Sequence, residues 1–218
     1  MPLTTDITFN GQRLRLDASG ALFWPDEKLL IVSDLHLEKA SFLAQFGSPL
    51  PRYDTRDTLS KIAKLITVYQ PEQIVCLGDS FHDAKAFTRL EHDDRNALYS
   101  LITSVPRWQW ILGNHDPELP SDLPGLTAKQ LQIRGISLLH EPAEQKNPHI
   151  IGHFHPKLRR SINGARVTGK VFAHNDNLLL MPAFGSYTGG LDVEDPALAP
   201  HLVSARYYLL YRDQIWKV

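Results

Sequence analysis

Five apolar stretches of this chain each run into a side chain that can hold a metal ion. Leu29–Ser33 leads into Asp34-Leu35-His36, and residues 74–77 lead into Gly78-Asp79. Residues 108–112 lead into Gly113-Asn114-His115-Asp116. Ile136–Leu139 ends at His140, and residues 150–152 end at His153-Phe154-His155. Carboxylate, imidazole and amide oxygen together suit borderline or hard divalent ions such as manganese, iron or zinc. One ion cannot take seven such ligands and leave room for water. Two ions sharing one carboxylate account for Asp34, His36, Asp79, Asn114, His140, His153 and His155. Such a pair sits roughly 3.5–4 Å apart and clamps a phosphoryl centre. Asp34 and His36 are one residue apart, as are His153 and His155, so each pair can face one side of a strand end. Asp79 is the expected bridge, giving one oxygen to each ion. His115, beside Asn114, is placed to protonate a leaving alcohol. His92, His149, His174 and His201 have no such setting and read as ordinary surface or core residues.

These residues need buried strands that end on one rim. Residues 74–77 before Gly78 are such a strand, and the glycine permits a sharp turn. Around Asn10-Gly11, residues 7–9 and 12–16 read as a hairpin, followed by a short strand at 21–24. A short helix is expected over 38–46. A second follows Asp54 or Thr55 as its cap and ends before Pro71, with Leu59, Ile62, Leu65, Ile66 and Tyr69 on its apolar face. A third is expected from about 84 to 104. Strand, helix, strand, helix, strand predicts parallel pairing with helical crossovers. Beyond residue 130, short strands recur at 131–133, 136–139, 149–151, 158–161, 165–168, 170–173, 178–181 and 205–218, the last folding back near Arg212-Asp213. Asn163-Gly164 and Asp176-Asn177 supply turns. No boundary or linker interrupts residues 1–218, so the expectation is one α/β domain: two packed sheets with helices outside.

Length and composition agree with a globular protein: 218 residues, 43% hydrophobic and 22% charged. Residues 1–8 carry no basic start or apolar run, so no signal peptide is read there. No stretch is long enough to span a bilayer, and cytoplasmic residence is expected. Cys76 is the single cysteine, which excludes an internal disulfide framework and a thiolate metal site. The net charge of −1 gives no global case for nucleic acid. Locally, Lys157, Arg159, Arg160, Arg166 and Lys170 follow the last histidine pair with no acid among them. Such a run can hold a nucleic-acid backbone through its phosphates. It can equally keep an exposed hairpin edge soluble.

Asp34-Leu35-His36, Gly78-Asp79, Gly113-Asn114-His115-Asp116, His140 and Gly152-His153-Phe154-His155 resemble, as a set, the five motifs of the calcineurin-like metallophosphoesterases. The resemblance implies a β-sandwich of two mixed sheets flanked by helices, in four layers α/β/β/α. It implies that Asp34, His36, Asp79 and His155 hold one metal and Asp79, Asn114, His140 and His153 the other, with His115 catalytic. Residues 49–55, 78–83 and 182–190 resemble one bacterial branch, the ligase-associated DNA damage response endonucleases. That branch implies manganese-dependent phosphodiesterase activity, a repair setting, and functional links to a DNA ligase and a helicase, and a two-ion site predicts attack by a metal-activated hydroxide. Many family members place an Asp three residues after the bridging Asp, paired with the catalytic His. Here His82 stands in that place and Asp83 follows, so both are candidates to orient His115. His82 is also expected beside the metals, touching substrate phosphate. Arg52, Lys157, Arg159 and Arg160 are the candidate substrate contacts. Two alternatives remain open: the same chemistry on a small nucleotide or nucleotide-sugar lipid, and a non-catalytic protein-binding scaffold.

Overall fold

The computed structural model describes residues 3–48, 50–143, 147–162 and 164–218. Pro49 of the 49–55 stretch and Asn163 of the expected Asn163-Gly164 turn lie outside the described residues. The first sheet runs in chain order: β1 (Thr4–Phe9), β2 (Gln12–Asp17), β3 (Leu22–Trp24), β4 (Leu29–Ser33), β5 (Gln73–Leu77), β6 (Arg107–Ile111) and β7 (Leu126–Ala128). Strands β1 to β4 pair antiparallel, and β4 to β7 pair parallel. The helices α1 (Lys39–Ala44), α2 (Asp54–Tyr69), α3 (Ala86–Arg89) and α4 (His92–Thr103) lie in the crossovers. The second sheet comprises β8 (Gln130–Ile133), β9 (Ile136–Leu139), β10 (His149–Ile151), β11 (Lys157–Ile162), β12 (Ala165–His174), β13 (Leu178–Leu180), β14 (Arg206–Tyr211) and β15 (Gln214–Lys217). Its order is β15-β14-β12-β13-β10-β9-β8, with β11 paired to β12. The β9–β10 and β10–β13 pairs are parallel and the others antiparallel, so this sheet is mixed too.

The two sheets share one core. Leu29 and Ile31 of β4 meet Ile136, Leu138, Ile150, Phe172 and Leu179 across the sandwich. Leu30 and Val32, one residue out of phase, face Leu59, Ile62 and Leu65 of α2 and Leu98 and Ile102 of α4. Strand β4 is therefore buried on both sides, which explains its unbroken apolar run. The outer face of the second sheet packs under Val193, Leu198 and Leu202, and the 3-10 helix Ala199–Leu202 covers it. Among the described residues no helix is long and apolar enough to cross a membrane.

Four local expectations differ from the structure. Residues 84–104 form two helices, because Leu90 is extended at φ −54° and ψ 127°. The side chain of Arg95 donates to the Phe87 carbonyl at 2.9 Å, an acceptor that a continuous helix would offer to residue 91. Asp54 and Thr55 do not cap α2. Their side chains instead accept the backbone N–H groups of Ala40 and Glu38, both at 2.9 Å, and tie α2 to the segment after β4. Residues 165–168 and 170–173 are one strand, and β7 was not anticipated.

Candidate metal centre

The parallel strands β4, β5 and β6 end side by side, and their backbones stay paired past the strand ends. His36 N–H donates to Asp79 O and Leu37 N–H to Ser80 O, both at 2.9 Å. His82 N–H returns to Leu37 O at 3.0 Å. Leu35, Leu37 and Phe81 anchor these loops in the core. Asp34 and His36 do face one side, but not through an extended pleat. Their φ angles are 52° and 44°, and those of Asp79, His153 and His155 are 47°, 72° and 48°. Non-glycine residues in this left-handed region cost on the order of 1–3 kcal/mol each, and such residues cluster at functional sites.

The seven expected ligands converge on two overlapping clusters, and a third group, His36, His82 and His115, adjoins the first. In the first, His155 Nε2 lies 3.1 Å from Asp34 Oδ1 and 3.1 Å from His36 Nε2, and His36 Nε2 lies 3.8 Å from Asp79 Oδ2. In the second, Asn114 Oδ1 lies 3.0 Å from His140 Nε2 and 3.1 Å from His153 Nδ1. Those two nitrogens are 3.2 Å apart, and His140 Nε2 is 3.3 Å from Asp79 Oδ2. Donors held about 2.1 Å from one ion lie about 3.0 Å apart at right angles and about 3.4 Å apart in a tetrahedron. These separations match donors gathered round one cation. Asp79 differs in detail from the expectation of one oxygen per ion. Its Oδ1 accepts the His115 N–H at 2.9 Å, and Oδ2 is the atom that faces both clusters.

Protonation follows the same geometry. Burial pushes the Asp34 carboxyl up, but His155, His140 and Ser33 outweigh it and hold it below the ordinary value. Burial also opposes ionisation of Asp79, and His140, the His115 N–H and His36 bring it down to about 2. Burial keeps His36 neutral, lowering it to about 3. For His140 burial is overridden by Asp79 and Asp34, which raise it to about 9. The pocket thus concentrates negative charge that a proton on His140 balances in part, and a divalent ion would replace that proton.

His115 is exposed beside the clusters, its ring centroid 5.0 Å from that of His36. Its Nδ1–H donates to the His82 carbonyl at 2.8 Å, which leaves Nε2 as its free ring nitrogen. Of the two candidates to orient His115, His82 does so, through its backbone. Asp83 does not: Arg89 binds its carboxylate on both oxygens, and Lys85 N–H adds a third bond. The His82 ring is also not open to a phosphate on its Nδ1 side, where it meets His36 Nδ1 at 3.3 Å. Arg52 is exposed but already paired: it reaches Glu38, at the start of α1, as well as Glu91 and the Arg89 carbonyl. Lys157 and Arg159 share one face of the β11–β12 hairpin, whereas Arg160 points to the other, toward Tyr207. His92, His149, His174 and His201 take no part in either cluster.

Asp116 is the residue the sequence reading passed over. Its buried carboxylate accepts four backbone N–H groups: Gly113 at 2.9 Å, Asp79 at 3.0 Å, Ser80 at 2.7 Å and Phe81 at 3.1 Å. It binds the loop that carries Asp79 to the loop that carries Asn114 and His115. Burial, with the nearby Asp79, pushes it up to about 6. Its signal was its place in Gly-Asn-His-Asp. Ser33, which donates to Asp34, was likewise missed. Gly152 has a second role here, because a Cβ there would overlap Ser33 Oγ and Asp34 Oδ2.

Comparison with known proteins agrees with this geometry. A family model described as calcineurin-like phosphoesterase matches residues 27–193. Among solved structures, the chain is similar to the Pseudomonas putida nuclease MPE, with a TM-score of 0.77 and 25% identity over 99% of this chain and 100% of that one. A phosphoesterase from E. coli, Yfce, aligns with a TM-score of 0.43 and 16% identity over 87% of this chain and 97% of that one. No curated protein matches the chain. The family model spans all seven candidate ligands: this chain belongs to the calcineurin-like phosphoesterases and is a phosphoester hydrolase.

Proposed function

We propose that this chain is a dinuclear, metal-dependent phosphodiesterase that cleaves DNA, with His115 as proton donor to the departing alcohol. One observation carries the reading: seven donors from five strand ends form two clusters that meet at Asp79 Oδ2. Asp34, His36, Asp79 and His155 would hold one ion, and Asp79, Asn114, His140 and His153 the other. Two divalent ions held there would lower the pKa of an attacking water and offset charge on the phosphoryl oxygens. His115, fixed at Nδ1 by the His82 carbonyl, delivers a proton from Nε2 to the alkoxide.

DNA is favoured by the likeness to a nuclease and by the hairpin. Register sets Lys157 opposite Lys170, Arg159 opposite Thr168 and Ser161 opposite Arg166, so four cations share one face. Lys170 is half-buried and donates to the Ala183 and Gly185 carbonyls, near Asp34. Among the described residues no carboxylate pairs with Arg159 or Arg166. A basic face with Lys170 near Asp34 suits a phosphate track leading away from the metal centre. Manganese, a repair setting and links to a DNA ligase and a helicase rest on the resemblance of residues 49–55, 78–83 and 182–190 to the ligase-associated branch.

The test compares wild type and His115→Ala, loaded with manganese, on a DNA diester and on bis(p-nitrophenyl) phosphate. The alkyl leaving group of DNA needs a proton far more than nitrophenolate does. His115→Ala should lose about 10²–10⁴-fold on DNA and much less on the aryl diester. Equal losses would remove the general-acid assignment. Turnover of nucleotide pyrophosphates with DNA untouched would transfer the reading to a small substrate. Inactivity with manganese, iron and zinc alike would end it.

A further inference from the structure

We propose that His82 is a positioning residue whose Nδ1 accepts the Nδ1–H of His36 and so keeps the Nε2 lone pair of His36 turned into the first donor cluster. The inference rests on the dinuclear reading and concerns how the chain presents one of its donors.

The two Nδ1 atoms are 3.3 Å apart, and both rings are buried. One proton can lie between them. If His36 carries it, His36 Nε2 is free as a donor toward an ion, 3.1 Å from His155 Nε2 and 3.8 Å from Asp79 Oδ2. If His82 carries it, the neutral His36 ring must hold its own proton on Nε2, where that proton blocks coordination. A metal-binding histidine usually fixes this choice by donating its other N–H to a carboxylate or carbonyl. His140 does so, its Nδ1 donating to the Leu77 carbonyl at 3.0 Å. The carboxylates near His36 are otherwise engaged. Asp83 is bound by Arg89, and Glu38 by Thr55 and Arg52. Among the described residues, His82 is the acceptor that reaches His36 Nδ1.

The His82 ring is held for this task. Phe42 meets it edge-on with centroids 4.8 Å apart and planes at 78°, and His115 stacks on it at 5.3 Å and 20°. One residue therefore acts on two histidines by separate atoms. The ring nitrogen addresses His36, and the main-chain carbonyl addresses His115. Only the first depends on the side chain, which makes the two roles separable by substitution.

His82→Asn places a carboxamide oxygen where Nδ1 stands and can still accept. His82→Leu keeps comparable bulk and cannot. Manganese titration by calorimetry should show His82→Leu weaker by about 10–100-fold and His82→Asn within about threefold of wild type. Nitrogen-15 NMR of the metal-free protein should find His36 protonated on Nδ1 in wild type and in His82→Asn. In His82→Leu the Nε2 tautomer should appear. Wild-type His36 protonated on Nε2 would overturn the proposal, as would His82→Leu binding manganese as tightly as wild type. If wild type takes up no divalent ion, the dinuclear reading fails by itself, and the NMR tautomer still decides the role of His82. Should His82→Leu not fold, wild type and His82→Asn decide it alone.

Discussion

Asp116→Asn tests the idea that one buried carboxylate fastens the metal-bearing loops together. Each carboxylate oxygen accepts two backbone N–H groups: Oδ1 those of Asp79 and Gly113, Oδ2 those of Ser80 and Phe81. Asparagine keeps the shape but only one oxygen. Its NH2 must then face two backbone donors. Each buried donor left without an acceptor costs about 1–3 kcal/mol, so two cost about 2–6 kcal/mol. Removing the charge relieves its burial and its repulsion with Asp79, which offsets part of that. The expected net loss is about 1–4 kcal/mol, measured by guanidinium unfolding of the metal-free proteins. Because Asp79 and Asn114 lie on the two loops that separate, metal affinity should fall together with stability. A loss under about 1 kcal/mol, with manganese affinity unchanged, would refute the reasoning, since four bonds to one ionised group cannot be halved that cheaply.

Gly152→Ala should lower manganese affinity more than tenfold, because its methyl would displace Asp34 and Ser33, and a second-sphere shift of that kind costs about 10–100-fold; calorimetric titration checks it, and wild-type affinity would mean the loops yield without moving Asp34. Arg159→Ala with Arg166→Ala should flatten the salt dependence of DNA binding by about two units of slope, whereas Arg160→Ala should leave it within experimental scatter, since Arg160 lies on the opposite face. Gel-shift titration across salt reads both, and equal effects from the two faces would show that the hairpin does not track the backbone.

The candidate ligands were legible because they sit at the ends of five apolar strands, and a buried strand followed by Asp, Asn or His is a local pattern. Asn10-Gly11 announced its hairpin in the same way, and the apolar period of residues 59–69 announced α2. The break at Leu90 was not legible, because it goes with a contact between residues eight apart, the Arg95 side chain on the Phe87 carbonyl. Asp54 and Thr55 look like caps in isolation. Contact with residues 38–40 from another segment gives their oxygens different donors.

Residue type and spacing thus determined which seven side chains could bind metal, and that His115 stands beside them. Tertiary structure alone decided how they are held. Asp116 serves a loop 35–37 residues away, His82 serves His36 across 46 residues, and Asp83 turns to Arg89 instead of His115. A hydrogen bond between distant segments leaves no mark on the sequence near either partner, because its direction and length exist only after the strands have aligned their ends.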